Sequence, residues 1–263
     1  MDVNARQPFR WGTGPGTEVF DMDEKLEKLR ELVNNAQRIV FFGGAGVSTE
    51  SGIPDFRSVD GLYNQHYKFP PETILSRTFY DRMPEEFFRF YRDKMLVKGV
   101  EPSRAHKALA RMEKAGKLLA IVTQNIDGLH QAAGSEKIYE LHGSVERNYC
   151  QTCGKAYSRA DIEAMPLVPK CSCGGTIKPD VVLYEEPLNQ NTMARAIWSI
   201  RQSDLLIIGG TTLTVWPAAG LIEYFEGEDL VIINKTRTPY SDQAGLAIYD
   251  SIGKALEYAV QDL

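Results

Sequence analysis

The chain has 263 residues, a formal net charge of −5, 43% hydrophobic residues and 25% charged residues. These values are typical of a globular protein with one large core and a smaller second lobe. The negative charge does not favour nucleic acid binding, which usually needs a basic surface. No apolar run reaches the roughly 20 residues of a membrane span, and residues 1–20 lack a signal-peptide core. We therefore expect a cytoplasmic protein that binds no membrane or nucleic acid and has an irregular N-terminal arm (1–20).

Hydrophobic periodicity predicts helices and strands that alternate along the chain. The first helix places Leu26, Leu29 and Val33 at helical spacing, with acidic residues at its start. Residues 72–98 are helical in pattern and rich in aromatic side chains, which we expect to pack as the core of a helical lobe. Helices are predicted over 21–36, 72–98, 104–116 and 251–262, and apolar strands over 38–42, 118–122, 205–208 and 230–233.

The four predicted strands are continuous apolar runs that each end in small or polar residues. Such runs are typical of parallel strands buried on both faces. Because ligands of open α/β sheets bind beyond the carboxyl ends of the strands, the segments that follow should line one rim. These segments are 43–46, 124–127, 209–212 and Asn234. They predict a site for a nucleotide-like ligand.

The glycine loop after the first strand, Gly44-Ala45-Gly46, suits the close approach of backbone amides to a diphosphate. The third position of a GxGxxG pattern is Thr49, however, and no acid lies about 20 residues further on to hold a ribose. A hydride-transfer site is therefore disfavoured. An ordinary tight turn between a strand and a helix stays open as the alternative.

The loop over residues 51–57 brings an acid, an aromatic ring and a guanidinium together as Asp55, Phe56 and Arg57. Arginine suits phosphate or ribose oxygens, and a phenyl ring suits a flat ligand. A surface loop with an ion pair is the alternative interpretation.

All four cysteines lie in one short window, as Cys150-x2-Cys153 and Cys171-x-Cys173. Two close pairs at this spacing are typical of a tetrahedral zinc site with four cysteine ligands. Because all four positions are taken by protein ligands, we expect the zinc to be structural. Four inert buried thiols are the alternative.

One histidine, His142, lies in a loop-like His-Gly-Ser segment just before the cysteine window. The ordinary pKa of histidine, near 6.5, suits a general base at neutral pH. His130 is a competitor for this role, but we expect it to be structural.

Several segments together resemble the sirtuin family and follow its order from about residue 25 to the C-terminus. Each motif alone is weak, but the ordered set is specific. The segments are GAGVS (44–48), SGIPDFR (51–57), TQNIDGLH (123–130), LHGS (141–144), the four-cysteine module, PDVV (179–182), GTTLTV (210–215) with Pro217-Ala218, and Ile233-Asn234.

The expected fold is α/β, with a Rossmann-like parallel sheet flanked by helices and a smaller inserted zinc-binding and helical domain. The Rossmann-like domain is expected to comprise 21–56, 104–147 and 177–263. The helical part of the small domain is expected over 57–103 and its zinc-binding part over 148–176.

The resemblance implies an NAD-dependent protein lysine deacylase that consumes NAD and acts on acyl-lysine proteins or peptides. We expect it to act as a monomer. The acyl oxygen attacks the ribose carbon that bears nicotinamide, the acyl group passes to ADP-ribose, and nicotinamide and free lysine are released. His142 is implied as general base on a ribose hydroxyl. Asn125 and Asp127 are implied as catalytic residues beside nicotinamide and its ribose.

The resemblance also implies the residues that contact each substrate. For NAD these are Gly44, Ala45, Gly46, Thr49, Phe56, Arg57, Gln124, Asn125, Ile126, Asp127, Gly210, Thr211, Thr212, Asn234, Lys235 and Tyr249. For the acyl-peptide they are Val181, Tyr184, Glu186 and Val215, and for zinc they are Cys150, Cys153, Cys171 and Cys173.

Three departures from the family pattern concern specificity. Gly43 replaces a threonine. Tyr184-Glu185-Glu186 replaces Phe-Gly-Glu in a segment that pairs with the substrate peptide, and the acidic pair suggests a preference for basic peptides. Members that remove succinyl-type groups carry Tyr-x-x-Arg, whereas this chain has Tyr91 and Lys94. Lysine lacks the bidentate fork of arginine, so we favour acetyl and other neutral acyl groups.

Two other functions stay open at this point. A protein mono-ADP-ribosyltransferase would use the same NAD site but would label protein with ADP-ribose instead of forming O-acyl-ADP-ribose. A non-catalytic nucleotide-binding or zinc-ribbon module would bind NAD without releasing nicotinamide, but such a module has no need of a base at His142.

Overall fold

The computed structural model describes residues 21–56, 61–62 and 67–263; the predicted arm (1–20) and Arg57 lie outside them. The helices are α1 Met22–Asn35, α2 Pro71–Ile74, α3 Arg77–Arg82, α4 Pro84–Phe90, α5 Arg104–Lys114, α6 Leu129–Ala132, α7 Arg159–Ala164, α8 Gln190–Gln202 and α9 Ile252–Ala259. The strands are β1 Ile39–Gly43, β2 Leu118–Thr123, β3 Ile138–Glu140, β4 Gly143–Cys150, β5 Ala156–Ser158, β6 Ile177–Val181, β7 Leu205–Gly209, β8 Asp229–Ile233 and β9 Leu246–Ile248.

A parallel sheet of six strands, in the order β3-β2-β1-β7-β8-β9, forms the larger part of the fold. The four strands predicted from the sequence are its four central strands, so the α/β fold class is confirmed. Gly43 pairs with Thr123 on one side and with Gly209 on the other. The central strands therefore end at one level, which brings the loops that follow them to one rim.

Both faces of this sheet are covered by helices. Phe41 packs on the face that holds α1, α5 and α9, whereas Phe42 packs on the face that holds α8 and the 3₁₀ segment Ala218–Tyr224. Alternate residues of each central strand thus enter two separate cores, which explains the continuous apolar runs. Each fully buried large side chain stabilises the fold by about 2 kcal/mol.

The helical lobe differs from the single helical pattern predicted over 72–98. It consists of α2, α3, α4 and a π-helical turn, Tyr91–Met95. Pro71 and Pro84 occupy the first positions of α2 and α4, where the missing N–H does no harm. The predicted aromatic core is confirmed, because Phe87, Phe88 and Tyr91 are fully buried and their rings contact one another.

A second, antiparallel sheet of three strands, in the order β5-β4-β6, carries the cysteine window. Its central strand β4 begins next to His142 and ends at Cys150, so this one strand connects the rim of the large sheet to the cysteine window.

The residue ranges predicted for the domains stay a prediction. None of the described helices combines the length and apolar character that a membrane crossing needs.

Candidate active site at the carboxyl ends of the strands

The glycine loop packs directly against the loop that follows β7. Gly44 N–H donates to Gly209 O (3.2 Å) and Gly46 N–H donates to Gly210 O (2.8 Å). A Cβ on Gly46 would lie 2.7 Å from Gly210 Cα, so the two backbones leave no room for a side chain there. Two short 3₁₀ turns follow, rather than the helix of an ordinary strand–helix turn.

A buried network connects the residues predicted to surround nicotinamide. Ser48 Oγ donates to Asp127 Oδ2 (2.7 Å) and accepts from Asn125 Nδ2 (3.1 Å). The other carboxylate oxygen of Asp127 accepts from Leu129 N–H (2.9 Å). Ser48 is 1% exposed. The sequence places Ser48 in the motif 44–48 but predicts no role for it, because a loop serine carries no signal without its partners.

Gln124 links three of the predicted segments. Its backbone N–H donates to Gly43 O (3.0 Å), and its side-chain Nε2 donates to Thr211 Oγ1 (3.1 Å). Its carbonyl oxygen lies 3.0 Å from His142 Nδ1. The bonds of Gln124 therefore hold the ends of β1, β2 and β7 together next to His142.

The protonation state of His142 follows from its surroundings. A carbonyl can only accept, so Nδ1 carries the proton and donates to Gln124 O, which leaves the lone pair on Nε2. Burial lowers the pKa of His142, and the bond to Gln124 only partly opposes this. The imidazole is therefore neutral near pH 7 and fit to accept a proton.

The backbone beside His142 is fixed as well. Its carbonyl accepts from Val182 N–H (3.0 Å). The next residue, Gly143, has φ +78°, and a Cβ there would lie 1.9 Å from Asp180 O, so only glycine fits. The histidine is thus held between the end of β2 and the segment after β6.

The residues predicted for the far end of NAD lie along the ends of β7, β8 and β9. Gly210 N–H donates to Ile233 O (3.1 Å) and Asn234 N–H donates to Ile248 O (3.0 Å). Lys235 and Thr212 are exposed, and so is Tyr249, which directly follows β9. Their contacts with NAD stay predictions.

Two predicted NAD residues pack against the helical lobe. Phe56 and Ile126 are half-buried against its aromatic core. Thr49 lies nearer the glycine loop, where its Oγ1 donates to Gly46 O (3.0 Å). Arg57, predicted beside Phe56, lies outside the described residues.

The predicted peptide segment follows β6. Val181 is buried and Tyr184 is 41% exposed. The Glu186 carboxylate accepts from Leu183 N–H (2.9 Å) and pairs with Lys178 (3.1 Å) and Arg77 (3.1 Å). The carboxylate of Glu185 also binds this chain's own groups. The hypothesis that this acidic pair attracts basic peptides therefore loses its structural basis.

The four cysteines form one compact cluster, with all four Sγ atoms within 4.8 Å of one another. The Sγ atoms of Cys150 and Cys173 are 3.5 Å apart, and those of Cys153 and Cys171 are 3.6 Å apart. A tetrahedral zinc with Zn–S bonds of about 2.3 Å needs sulfurs roughly 3.8 Å apart. The Tyr157 hydroxyl donates to Cys171 Sγ (3.0 Å), which favours the thiolate that a metal requires. The cluster fits a structural zinc with no open position.

Two further histidines lie buried against each other behind the rim. The rings of His106 and His130 have centroids 4.6 Å apart, and His106 Nδ1 lies 2.8 Å from Ser103 Oγ. Burial lowers the pKa of His106 to about 4, although Asp127 and Glu50 oppose the shift. Burial and His106 lower the pKa of His130 to about 3. Two neutral, packed histidines agree with the structural role expected for His130.

This pair gives the unfolding free energy a pH dependence. His106 takes up a proton near pH 6.5 when the chain is unfolded but only near pH 4 when it is folded. The contribution of neutral His106 to the free energy of unfolding is therefore fully present above pH 6.5 and is lost as the pH falls toward 4. The loss from His106 should reach about 2 kcal/mol at pH 5. Urea unfolding between pH 7 and 5 measures it. The His106→Asn variant should show a shallower slope, and an equal slope would refute this origin.

The fold and the site define an α/β protein with a ligand site at its strand ends and a separate four-cysteine module. The model of the Sir2 family matches residues 44–217. An NAD-dependent protein deacetylase of Clostridium perfringens is 57% identical over 239 residues, covering 89% of this chain and 98% of that protein. The chain belongs to the Sir2 family.

Solved structures agree with this assignment. A Sir2 homologue in complex with NAD superposes with a TM-score of 0.80 at 34% identity, covering 89% of this chain and 92% of that one. A Sir2 structure with an inhibitor, 2′-O-acetyl-ADP-ribose and a deacetylated peptide superposes with a TM-score of 0.77 at 36% identity, covering 88% of this chain and 95% of that one.

Proposed function

We propose that His142, Asn125 and Asp127 carry the reaction of this chain, an NAD-dependent protein lysine deacylase. The observation that carries the proposal is the neutral imidazole of His142, hydrogen-bonded through Nδ1 to the rim residue Gln124. NAD supplies the ADP-ribose that accepts the acyl group, one water molecule is consumed, and nicotinamide and free lysine are released.

In this proposal His142 accepts a proton at Nε2 from a ribose hydroxyl. Gln124 O holds the ring through the Nδ1 proton, so the base is oriented before the substrate binds. The positive charge that forms on the ring is stabilised by the same bond. A base with a pKa below 6.5 stays available across the neutral range.

Asn125 and Asp127 bind the nicotinamide end of NAD in this proposal. Ser48 positions both, because one hydroxyl bonds to the Asn125 amide and to the Asp127 carboxylate. Because these bonds already fix both side chains, NAD binding does not carry the entropy cost of ordering them. The amides of Gly44, Gly46 and Gly210 bond to neighbouring backbone carbonyls. In this proposal the glycines therefore bring the two loops together beside the diphosphate, rather than donating these three amides to it.

The zinc module has a structural part in this account. Cys150, Cys153, Cys171 and Cys173 hold the metal, which stabilises the small sheet and supplies no reactive group. The cytoplasmic location stays a prediction. Action as a monomer stays a prediction.

The acyl group is proposed to be acetyl or another neutral group. Tyr91 is 1% exposed, and Lys94 pairs with Asp93 (3.0 Å). Arg92 points to the end of α7, where it donates to Pro166 O (2.7 Å) and Ile162 O (2.8 Å). Arg92 and Lys94 thus already pair with groups of this chain, which favours a neutral acyl group.

Nicotinamide release in the presence of a panel of acyl-lysine peptides tests both parts of the proposal. Release should depend on the peptide, and kcat/KM should be about tenfold or more higher for acetyl-lysine than for succinyl-lysine, since Arg92 and Lys94 are already paired within the chain. The unacylated peptide is the control. Equal turnover of succinyl-lysine would contradict the acyl preference, and peptide-independent release would contradict the function.

A further inference from the structure

The turn after β6 places a glutamate where the backbone favours glycine. Glu186 N–H donates to Leu183 O (3.0 Å), which closes a four-residue turn with Tyr184 and Glu185 in the middle. Glu185 has φ +76°. This region of φ is strained for a residue with a Cβ and is usually occupied by glycine or asparagine in such a turn. Something else in the structure must hold Glu185 there.

The side chain of Glu185 provides that hold. Its Oε2 accepts from Thr78 N–H (2.8 Å) and from Thr78 Oγ1 (2.7 Å). These bonds lower the pKa of Glu185 below its ordinary value, so the carboxylate is charged at neutral pH. A negative charge at the start of a helix is favourable.

The turn as a whole caps helix α3. Arg77 N–H donates to Tyr184 O (3.0 Å), Thr78 N–H donates to Glu185, and Phe79 N–H donates to Ser76 Oγ (3.2 Å). The first three amides of α3, which have no partner within the helix, are therefore all satisfied. Two of the three acceptors come from the turn after β6, so the turn and the helical lobe are joined.

In the same turn, the backbone N–H and C=O of Glu185 are placed to pair with a bound peptide. Tyr184 N–H is taken by Leu75 O (2.9 Å), and Leu183 N–H is taken by the Glu186 carboxylate (2.9 Å). In the described part of the chain, the N–H and C=O of Glu185 bond to no other backbone group. They lie three residues from Val182, whose N–H binds His142 O.

We propose that Glu185 is a positioning residue for the acyl-peptide: its carboxylate, by capping α3, holds the turn in the conformation in which the Glu185 main chain pairs with an extended peptide. This inference rests on the proposed deacylase function. Main-chain pairing of a peptide with an exposed edge is sequence-tolerant, so the turn sets peptide affinity without selecting basic side chains.

Three substitutions of Glu185 distinguish the effect of its carboxylate from the effect of its strained backbone. Glu185→Ala and Glu185→Gly both remove the cap, and each should raise the KM for the peptide about fivefold, the order of one lost helix cap. The kcat and the KM for NAD should change less than twofold. Glu185→Gln keeps an oxygen that can accept from Thr78 N–H and should restore most of the affinity. Glu72→Ala, an exposed glutamate of α2, is the control and should match the parent.

Thermal unfolding checks the strain independently of catalysis. Glu185→Gly should melt roughly 2–4 °C above Glu185→Ala, because only glycine is relaxed at positive φ. An unchanged peptide KM in both variants, with a fully active parent protein, would overturn the positioning role alone. A parent protein that releases no nicotinamide with any acyl-peptide would overturn the proposed function, and this inference with it.

Discussion

The His142→Ala variant is expected to lose deacylase activity by a factor of about 10²–10⁴, the range for loss of a general base. Gln124 O orients the His142 ring from the end of β2 through Nδ1, so the lone pair stays on Nε2. Its lowered pKa keeps it neutral at pH 7. Alanine removes the proton acceptor but leaves the backbone bond from Val182 N–H to residue 142 in place. The rate should be measured as nicotinamide formed with saturating NAD and acetyl-peptide.

Two further measurements on His142→Ala, NAD binding and the melting temperature, distinguish the loss of a base from the loss of the fold. NAD binding, measured by calorimetry, should stay within a few-fold of the parent because the glycine loop and Gly210 are untouched. The melting temperature should stay close to the parent value. Lys107→Ala, an exposed residue of α5, is the control. Near-normal turnover by His142→Ala would remove the histidine from the mechanism.

The second large effect concerns the metal. The parent protein should contain about one zinc per chain, and Cys153→Ser should contain almost none, because three thiolates and a hydroxyl bind zinc far less well than four thiolates. The binding free energy of a structural zinc is folding free energy, on the order of 10 kcal/mol in small modules. The small sheet should therefore unfold in the variant, measured by hydrogen exchange across β4–β6.

Gln151→Ala is a matched control for this substitution. Gln151 lies between Cys150 and Cys153 and is exposed, so its zinc content and exchange should equal those of the parent. Addition of a strong chelator to the parent should reproduce the behaviour of Cys153→Ser. A metal-free parent protein that is fully folded would refute the structural zinc.

The sequence predicted the parts of the fold that depend on local patterns. Each central strand is an apolar run that ends in glycine or a polar residue, so the position of the rim could be derived before any contact was known. The cysteine spacing similarly predicted the cluster that the structure contains. The edge strands β3 and β9 were missed because three-residue strands give no periodicity. The helix α8 was missed because it buries only Ala196, Ser199 and Ile200.

Features that depend on tertiary contacts could not be predicted. Ser48 has a role only because Asn125 and Asp127 lie beside it, about 80 residues away along the chain. Glu185 and Glu186 suggested a surface for basic peptides, but both carboxylates bind groups of this chain. The aromatic periodicity over 72–98 predicts one helix, but Pro71 and Pro84 each begin a new helix, so the breaks that prolines impose outweigh that pattern.

Product analysis tests the central claim most directly. The parent protein should be incubated with NAD and an acetyl-lysine peptide, and all products should be identified by mass. The account predicts equal amounts of nicotinamide, deacetylated peptide and O-acetyl-ADP-ribose, with no mass added to the protein. ADP-ribose attached to protein, or NAD bound without release of nicotinamide, would contradict it.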